Sequence, residues 1–195
     1  MSTKKCPWSL KTALEEAYHD KEWGVPIYDD DKLFQSLSLE LCQSGLSWHT
    51  ILKKREGFKA AFDSFVIDKV CQYDEQKIAD LLLDKSIVRH KAKISAIVNN
   101  ACCIKNIHAQ NNTFSNYLWD FIDHKPIIGH WKNASDVPSS SSLSDHISKE
   151  LKKIGFKFLG TTTVYAFMQS VGMVNDHILD CFRFNQCNES NGEKV

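Results

Sequence analysis

The sequence lacks both a net charge and a long hydrophobic run. Its 195 residues carry 24 Lys and Arg against 24 Asp and Glu, which excludes a protein brought to nucleic acid by gross charge, but not a local basic patch. No segment approaches the length of a membrane span, and the N-terminal stretch MSTKKCPWSL has no apolar core of signal-peptide length. We therefore expect a soluble, cytoplasmic protein that has no membrane partner.

The sequence also lacks internal repeats, long linkers and any sustained alternation of apolar and polar residues that is typical of β-strands. Apolar residues recur instead at helical spacing almost throughout the chain. These features predict an all-α fold with about nine or ten helices. The clearest helical stripe contains Ile94, Ile97, Val98, Ala101 and Ile104.

Disulfides are not expected, because the seven cysteines are odd in number and no secretory signal precedes them. Metal binding better explains a Cys that has a His partner. In NDHILDC, His177 and Cys181 stand four residues apart and can share a helix face, while Cys6 and His19 stand near the other chain end. Together they form a Cys₂His₂ set, a common structural zinc arrangement, although each His can also be an ordinary core or surface imidazole. Four protein ligands leave no position for a catalytic water, which argues against a zinc hydrolase.

Aromatic residues cluster in the segments CPW, AYHDKEWGVP and GLSW, near one acid on an otherwise apolar helix. Trp8, Tyr18, Trp23 and Trp48 could surround Glu40 in a pocket for a flat, electron-poor ligand, because aromatic faces attract cations. The alternative is that the tryptophans belong to the core and that Glu40 is solvated or paired in a salt bridge.

The stretch LKKIGFKFLGTTTVY predicts two helices joined by a tight turn. The first helix ends at Gly155, an apolar hairpin covers residues 156–159, and Gly160 and Thr161 open the second helix. The N–H groups at the start of the second helix suit a phosphate, and Lys157 adds positive charge. An ordinary turn between two helices is the alternative.

Two further segments have less specific patterns. SIVRHKAKI contains Arg89, His90, Lys91 and Lys93, and it predicts either a second phosphate contact or a solvated helix start. We favour the solvated helix start. The short low-complexity stretch VPSSSSLSD predicts a loop that runs into a helix N-cap.

Taken together, these motifs resemble one family. CPW, AYHDKEWGVP, GLSW, ILKKRE, GFKFLGTTTVYAFMQSVGMVNDH and the terminal Cys181 are long, colinear and specific, and they resemble DNA-3-methyladenine glycosylase I. That family belongs to the helix-hairpin-helix superfamily of DNA glycosylases, and the resemblance covers nearly the whole chain. It implies a single glycosylase domain over residues 1–195, with two helical lobes around a base pocket and a helix-hairpin-helix at about 143–171.

The resemblance implies a base-excision repair enzyme that hydrolyses the N-glycosidic bond of N3-methyladenine in alkylated double-stranded DNA. Glu40 matches the catalytic acid of the pocket, the four aromatic residues match its base-binding walls, and Leu46 matches the region that probes the duplex. A structural Zn²⁺ is implied at the matching ligands Cys6, His19, His177 and Cys181. The DNA-binding hairpin is matched by Gly155, Phe156, Lys157, Phe158, Gly160 and Thr161.

The implied chemistry makes physical sense, since an enzyme that acts on a base inside a duplex must first extrude that base. N3-methyladenine is cationic, so its glycosidic bond is already weak and it leaves as a neutral base without a general acid. Asn175 stands where many superfamily members carry a catalytic Asp, and the adjacent Asp176 should project differently. Thr161 and Thr162 stand where the lyases carry a Lys. The resemblance therefore implies a monofunctional glycosylase without lyase activity.

The sequence departs from the family pattern at two positions near the pocket. Glu15 replaces a usual Tyr, which puts one aromatic wall or DNA contact in doubt, and Leu41 replaces a usual small residue, which would reshape the pocket floor. We expect effects on affinity or base range only. The tail after about residue 182 is a candidate for disorder, and we expect a monomer. The alternative function is a non-catalytic, zinc-stapled module that binds DNA or senses damage.

Overall fold

The computed structural model describes residues 4–189, and this part of the chain is predominantly helical, which confirms the all-α prediction. None of the helices in this range is long and apolar enough to cross a membrane. In chain order the elements are α1 (Ala13–Lys21), α2 (Asp30–Gln43), α3 (Trp48–Ala61), α4 (Ile67–Val70), α5 (Glu75–Leu83), α6 (Lys91–His108), α7 (Phe114–Trp119), β1 (Ile127–Ile128), α8 (Ser142–Lys153), α9 (Thr161–Ser170), β2 (Val174–Asn175) and α10 (Arg183–Glu189).

Side-chain caps explain where several of the longer helices begin. The carboxylate of Asp29 accepts a hydrogen bond from a backbone N–H in the first turn of α2, and Asp74 does the same for α5. Ser141 forms a reciprocal capping box with Ser144 at the start of α8, directly after the Ser-rich loop. Each cap satisfies a backbone donor that the helix itself leaves without a partner. The predicted loop into an N-cap is therefore confirmed.

The main hydrophobic core lies around α2 and α6. Leu33, Leu37 and Leu41 project from α2 and are at most 1% exposed, and the apolar stripe of α6 packs into the same cluster. Burial of one such side chain stabilises the fold by roughly 1.5–3 kcal/mol. Because Leu41 is part of this core, the prediction that it reshapes a pocket floor is wrong.

A smaller hydrophobic cluster joins the two ends of the described chain. The two ends also contact each other directly through the backbone, since the N–H of Phe182 donates to the carbonyl oxygen of Lys4 at 3.0 Å. Trp8 and Trp48 pack against the cluster from its edges. Its buried members are Cys6, Tyr18, Trp23, Leu52 and Cys181.

One short parallel strand pair interrupts the helical pattern. β1 lies beside β2, and the N–H of Gly129 extends the pair by donating to the carbonyl oxygen of Asn175 at 2.9 Å. Successive residues of an extended chain point to opposite sides, so Asn175 and Asp176 face different surroundings. Two residues per strand are too few for a sequence pattern, which is why this pair was not predicted.

α8 and α9 occupy the segment predicted for the hairpin. α8 ends in a Schellman motif, in which the N–H of Phe156 donates to the carbonyl oxygen of Leu151 at 3.0 Å and Gly155 adopts a φ of +98°. Phe156 and Leu159 then point into the core with exposures of 3% and 0%. The connection is therefore anchored from the inside, and only part of it faces solvent.

The chain beyond residue 182, a candidate for disorder from its sequence, continues as α10. Phe184 and Cys187 on this helix are buried. The side-chain amide of Asn175 donates to the carbonyl oxygen of Phe184 (3.0 Å) and to the side-chain oxygen of Asn188 (2.7 Å), which ties α10 to β2. The expected disorder also covered residues 190–195, which lie outside the described residues.

Replacing Gly155 by Ala should lower the free energy of unfolding by about 1–2 kcal/mol, because an L side chain is strained at positive φ. The added Cβ would also lie 3.3 Å from the sulfur of Cys103. Gly160→Ala is the matched control, since Gly160 has a φ of −74° and no atom within 4 Å of an added Cβ. Urea unfolding of the two variants measures the difference, and equal losses would contradict the assignment of Gly155.

Candidate active site and metal centre

The predicted aromatic residues and Glu40 meet around one cavity of about 380 Å³. Trp8 comes from a short 3₁₀ turn before α1, Tyr18 from α1, Trp23 from the segment after α1, and Trp48 from the first residue of α3. Glu40 comes from the last turns of α2. A cavity of this size suits a small, flat molecule. The rest of the lining comes from Cys6, Gln43, Ala134, Val137, Pro138, Ala166, Gln169, Asp176 and Ile178.

The aromatic walls support one another at steep angles. Trp8 meets Trp23 with ring centroids 5.0 Å apart and planes at 76°, and Tyr18 meets Trp48 at 5.1 Å and 55°. Tilted and edge-on pairs of this kind are favourable for aromatic rings. The indole N–H of Trp48 is buried and has no hydrogen-bond partner among the described residues. Because such a donor is costly to leave unpaired, a ligand with an acceptor atom would gain by pairing with it.

Glu40 is a buried acid that no described residue contacts through a hydrogen bond to its carboxyl group. The residue is 7% exposed, and desolvation raises the pKa of Glu40 to about 8. The carboxyl group is therefore mainly protonated at neutral pH in this environment. Burial also raises the pKa of Tyr18 well above its usual value, so that its phenol keeps its proton. Glu40 is therefore not exposed to solvent and forms no salt bridge with the described residues, which excludes the alternative reading of this acid.

A second carboxylate, Asp176, lines the same cavity and was not predicted as a site residue. Its Oδ1 accepts a hydrogen bond from Nε1 of Trp131 (2.6 Å), and its Oδ2 accepts from the hydroxyl of Tyr165 (2.7 Å) and from Nε2 of Gln169 (2.8 Å). Asn175 faces the other way, toward α10. The sequence does not show which of the adjacent polar residues Asn175 and Asp176 enters the cavity, because this depends on the register of β2.

The four predicted metal ligands converge in one buried cluster. The ligand atoms of Cys6, His19, His177 and Cys181 lie within 4.8 Å of one another. Sγ of Cys181 is 3.4 Å from Nε2 of His19 and 3.5 Å from Nδ1 of His177, and Sγ of Cys6 is 3.6 Å from the same Nδ1. A tetrahedral zinc ion separates its sulfur and nitrogen ligands by roughly 3.5 Å. The cluster therefore fits a metal ion of this type.

Outer hydrogen bonds orient both imidazoles for this role. Nδ1 of His19 contacts the Asp20 carboxylate at 2.8 Å, and that carboxylate also binds Lys5 at 2.5 Å. Nε2 of His177 contacts the carbonyl oxygen of Trp23 at 3.1 Å. If each of these nitrogens carries the proton, His19 offers Nε2 and His177 offers Nδ1 to the centre of the cluster. The hydrogen bond between the two sulfurs lowers the pKa of Cys181 and raises that of Cys6, so the pair favours one thiolate, and a metal ion would have to displace the proton of Cys6.

The metal cluster and the cavity share a wall. Cys6 lines the cavity, the His177 ring meets the Trp23 ring at 4.6 Å and 77°, and the His19 ring meets the Trp8 ring at 5.6 Å and 72°. Two of the four aromatic residues that line the cavity, Trp8 and Trp23, therefore pack against the imidazole rings of the cluster.

The residues predicted to contact DNA lie outside the cavity lining. Phe158, with a φ of +61°, is 48% exposed at the tip of the hairpin, and Lys157 beside it is exposed. Leu46 is 39% exposed in the loop between α2 and α3. The side chain of Phe156 is buried and stacks on Phe114, so the prediction that it contacts DNA is wrong for the side chain.

The start of α9 has the predicted residues in place. Gly160 is the N-cap of this helix and Thr161 is its first residue. The Thr161 hydroxyl lies 2.8 Å from the Ser144 hydroxyl, which joins the starts of α8 and α9. Because Gly160 has no side chain, it leaves the first N–H groups of α9 without a side-chain cap.

Two further expectations change in the structure. Lys93 is 7% exposed and is not part of a solvated helix start, whereas Arg89, His90 and Lys91 are exposed as expected. Glu15 is 6% exposed, accepts a hydrogen bond from the Thr12 hydroxyl at 2.9 Å, and does not line the cavity.

Known proteins resemble this chain over most of its length. A family model described as "Methyladenine glycosylase" matches residues 8–184. The DNA-3-methyladenine glycosylase 1 of Escherichia coli (strain K12) is 44% identical over 178 residues, which cover 91% of this chain and 95% of that protein.

Solved structures agree with the sequence comparison. A crystal structure of 3-methyladenine DNA glycosylase I has a TM-score of 0.90 at 43% identity and covers 92% of this chain and 98% of that chain. A structure that describes 3-methyladenine recognition by the Staphylococcus aureus 3-methyladenine DNA glycosylase I has a TM-score of 0.90 at 38% identity, with 94% and 98% covered. Fold and sequence therefore agree, and the chain belongs to the methyladenine glycosylase family.

Proposed function

We propose that this protein hydrolyses the N-glycosidic bond of N3-methyladenine in alkylated double-stranded DNA, as the first step of base-excision repair. The observation that carries the proposal is Glu40, a buried acid that has no hydrogen-bond partner among the described residues and lies in a cavity walled by four aromatic rings. Such a cavity is built for a flat cation, and N3-methyladenine within DNA is a flat cation. The named activity of the relatives supports the same substrate.

Recognition in this proposal depends on the charge of the extruded base. An opposite charge beside a carboxyl group favours its ionised form, so a cationic base would lower the pKa of Glu40, whose proton would pass to solvent and leave a carboxylate facing the base. The free N–H of Trp48 would offer a further hydrogen bond to the base. Neutral adenine would meet a protonated acid instead, and its glycosidic bond would remain strong. The cavity therefore selects the lesion by charge as well as by shape.

The chemical step needs no general acid. A water oxygen forms the new bond to C1′ of the sugar, the bond from C1′ to the base breaks, and its electron pair leaves with the base as neutral 3-methyladenine. One proton of the water passes to solvent. Thr161 and Thr162 supply no amine that could form an imine with the sugar, which supports a monofunctional glycosylase without lyase activity.

The exposed hairpin supports a DNA-binding role for the segment from α8 to α9. Backbone N–H groups at the start of α9 and the side chain of Lys157 suit a DNA phosphate. Phe158 and Leu46 are apolar side chains whose exposure to water is unfavourable, and both suit contact with a duplex. Together with the cavity they make up a helix-hairpin-helix glycosylase in this proposal.

We also propose that the Cys₂His₂ cluster holds a structural Zn²⁺. Cys6 and His19 would bind it from the N-terminal segment, and His177 and Cys181 from the C-terminal segment. When bound, the ion would cross-link the two chain ends, and the four ligands leave it no open position for substrate. The support for zinc is the tetrahedral spacing of the four ligand atoms and the oriented imidazoles.

Wild-type protein should release free 3-methyladenine from methylated duplex DNA, and Glu40→Gln should lower the excision rate constant by about tenfold or more. The amide fills the same space but cannot become an anion opposite the cationic base. Release is measured by chromatography of the freed base under single-turnover conditions.

Glu56→Gln is the control for this experiment, because the Glu56 side chain is 78% exposed. It should excise like the wild type, and Glu40→Gln should still bind unmodified DNA. Unchanged excision by Glu40→Gln would remove Glu40 from the mechanism. No release by folded wild-type protein would leave a DNA-binding or damage-sensing module.

Glu40 should also make stability depend on pH. The unfolded chain releases this proton near the ordinary pKa of 4.5 and the folded protein near 8, so the folded state binds more protons between these values and loses stability as the pH rises. Glu40→Gln lacks this loss. Its melting temperature should therefore gain on the wild type from about pH 4.5 to about pH 8 and stay level above that range.

Thermal unfolding of both proteins across this pH range measures the difference. Glu56→Gln should not reproduce the widening gap, because an exposed carboxyl group is solvated in both states. A constant gap between Glu40→Gln and the wild type would show that burial does not raise the pKa of Glu40.

Purified protein should contain about one zinc ion per chain, and removal by a strong chelator should lower the melting temperature. Tryptophan fluorescence should change at the same time, because Trp8 and Trp23 rest on the ligand imidazoles. Cys181→Ser should lose the metal, and Cys102→Ser should keep it, since Cys102 lies outside the cluster. A metal-free wild type of full stability would overturn the zinc proposal.

A further inference from the structure

Lys93 is a buried cation that the proposed reaction does not use. Its ammonium group donates to the carbonyl oxygen of Cys42 at 2.9 Å and to that of Ser44 at 2.5 Å. These carbonyls lie at the end of α2, where the helix leaves its last acceptors without partners. The negative end of the helix dipole also favours a cation there. Lys93, from the first turn of α6, therefore caps α2 across a sequence distance of about fifty residues.

The loop that follows α2 has little else to hold it. Gln43 and Leu46 are joined by two local bonds, from Nε2 of Gln43 to the Leu46 carbonyl oxygen (3.0 Å) and from the Leu46 N–H to the Gln43 carbonyl oxygen (2.7 Å). Gly45 at the turn has a φ of +80° and no atom within 4 Å of an added Cβ. Among the described residues, Lys93 is the only side chain from outside residues 42–50 that hydrogen-bonds to residues 42–47.

The same helix also holds the hairpin. Nδ2 of Asn99 donates to the Gly155 carbonyl oxygen at 2.8 Å. The Asn100 side chain accepts from the Lys157 N–H at 2.8 Å and donates to the Lys157 carbonyl oxygen at 3.1 Å. α6 therefore carries, within eight residues, the side chains that fix two separate exposed elements, the Leu46 loop and the hairpin.

We propose that Lys93 is a positioning residue, which fixes the Leu46 loop relative to the hairpin so that Leu46 enters the duplex while the hairpin holds the backbone. This inference rests on the proposed DNA glycosylase function. The Lys93 side chain does not line the cavity, and its hydrogen bonds go to Cys42 and Ser44, at the base of the Leu46 loop, and not to the hairpin. Its loss should therefore reduce base extrusion without reducing the affinity of the cavity for a free base or of the hairpin for DNA.

A double-mutant cycle separates this role from a general loss of stability. Lys93→Met keeps most of the side-chain volume and removes the three N–H donors, and Leu46→Ala removes the probing side chain. Each single variant should lower the single-turnover excision rate constant by about tenfold, and the double variant should be no slower than Leu46→Ala alone. Residues that act through one contact show such non-additive effects, whereas independent losses multiply.

Lys91→Met is the matched control, because Lys91 lies two residues away on the same helix and is exposed. It should excise like the wild type. Lys93→Met should bind free 3-methyladenine with wild-type affinity, which is measured by tryptophan fluorescence. It should also bind unmodified duplex DNA at low salt as the wild type does. If Lys93→Met does not fold, the cycle is run with Lys93→Gln, whose shorter amide cannot reach both carbonyl oxygens.

Each failure of the cycle has its own meaning. Multiplicative losses in the double variant would overturn the inference and leave the proposed function intact. Normal excision by Lys93→Met would do the same. Normal excision by Leu46→Ala would overturn both the probing role of Leu46 and the inference. The absence of excision by folded wild-type protein would overturn the proposed function itself.

Discussion

The convergence of the two chain ends on one buried cluster is the constraint on which the rest of the site depends. Cys6 precedes the first 3₁₀ turn and His19 lies on α1, whereas His177 and Cys181 come from the segment after β2, yet the four ligand atoms lie within 4.8 Å of one another. The imidazole rings of the cluster pack against the indole rings of Trp8 and Trp23. The part of the cavity wall that these two rings form therefore depends on the meeting of the two chain ends, and not on one helix or loop.

Two carboxyl groups line the cavity under opposite conditions. Glu40 receives no hydrogen bond from the described residues and is kept protonated by burial, whereas three donors surround Asp176. A protonated acid without such donors can respond to a charged ligand, whereas three hydrogen bonds hold the Asp176 side chain in one orientation. The cavity thus combines one adaptable acid with one fixed wall, a combination that suits discrimination between a cationic and a neutral base.

The sequence alone predicted the helical fold, the helix starts and the end of α8, because these depend on local periodicity and on single capping residues. Residue types and a family resemblance also identified the four residues that converge as a candidate metal cluster, and the four aromatic residues and Glu40 that line the cavity. Asp176, the burial of Lys93 and the inward side chain of Phe156 were missed. Their positions depend on the register of a two-residue strand and on packing between helices that are distant in sequence, which no local pattern records.

The separation of the ligands along the chain has a consequence for synthesis. The Cys6 sulfur and the His177 imidazole are 171 positions apart, and the cavity wall that they share cannot exist until both have left the ribosome. The main hydrophobic core also contains residues as late in the chain as Val174, so its packing is completed in the same final stretch of synthesis. A growing chain that still lacks His177 and Cys181 would therefore have only half of the cluster and an incomplete cavity wall, so the cavity is completed late in synthesis.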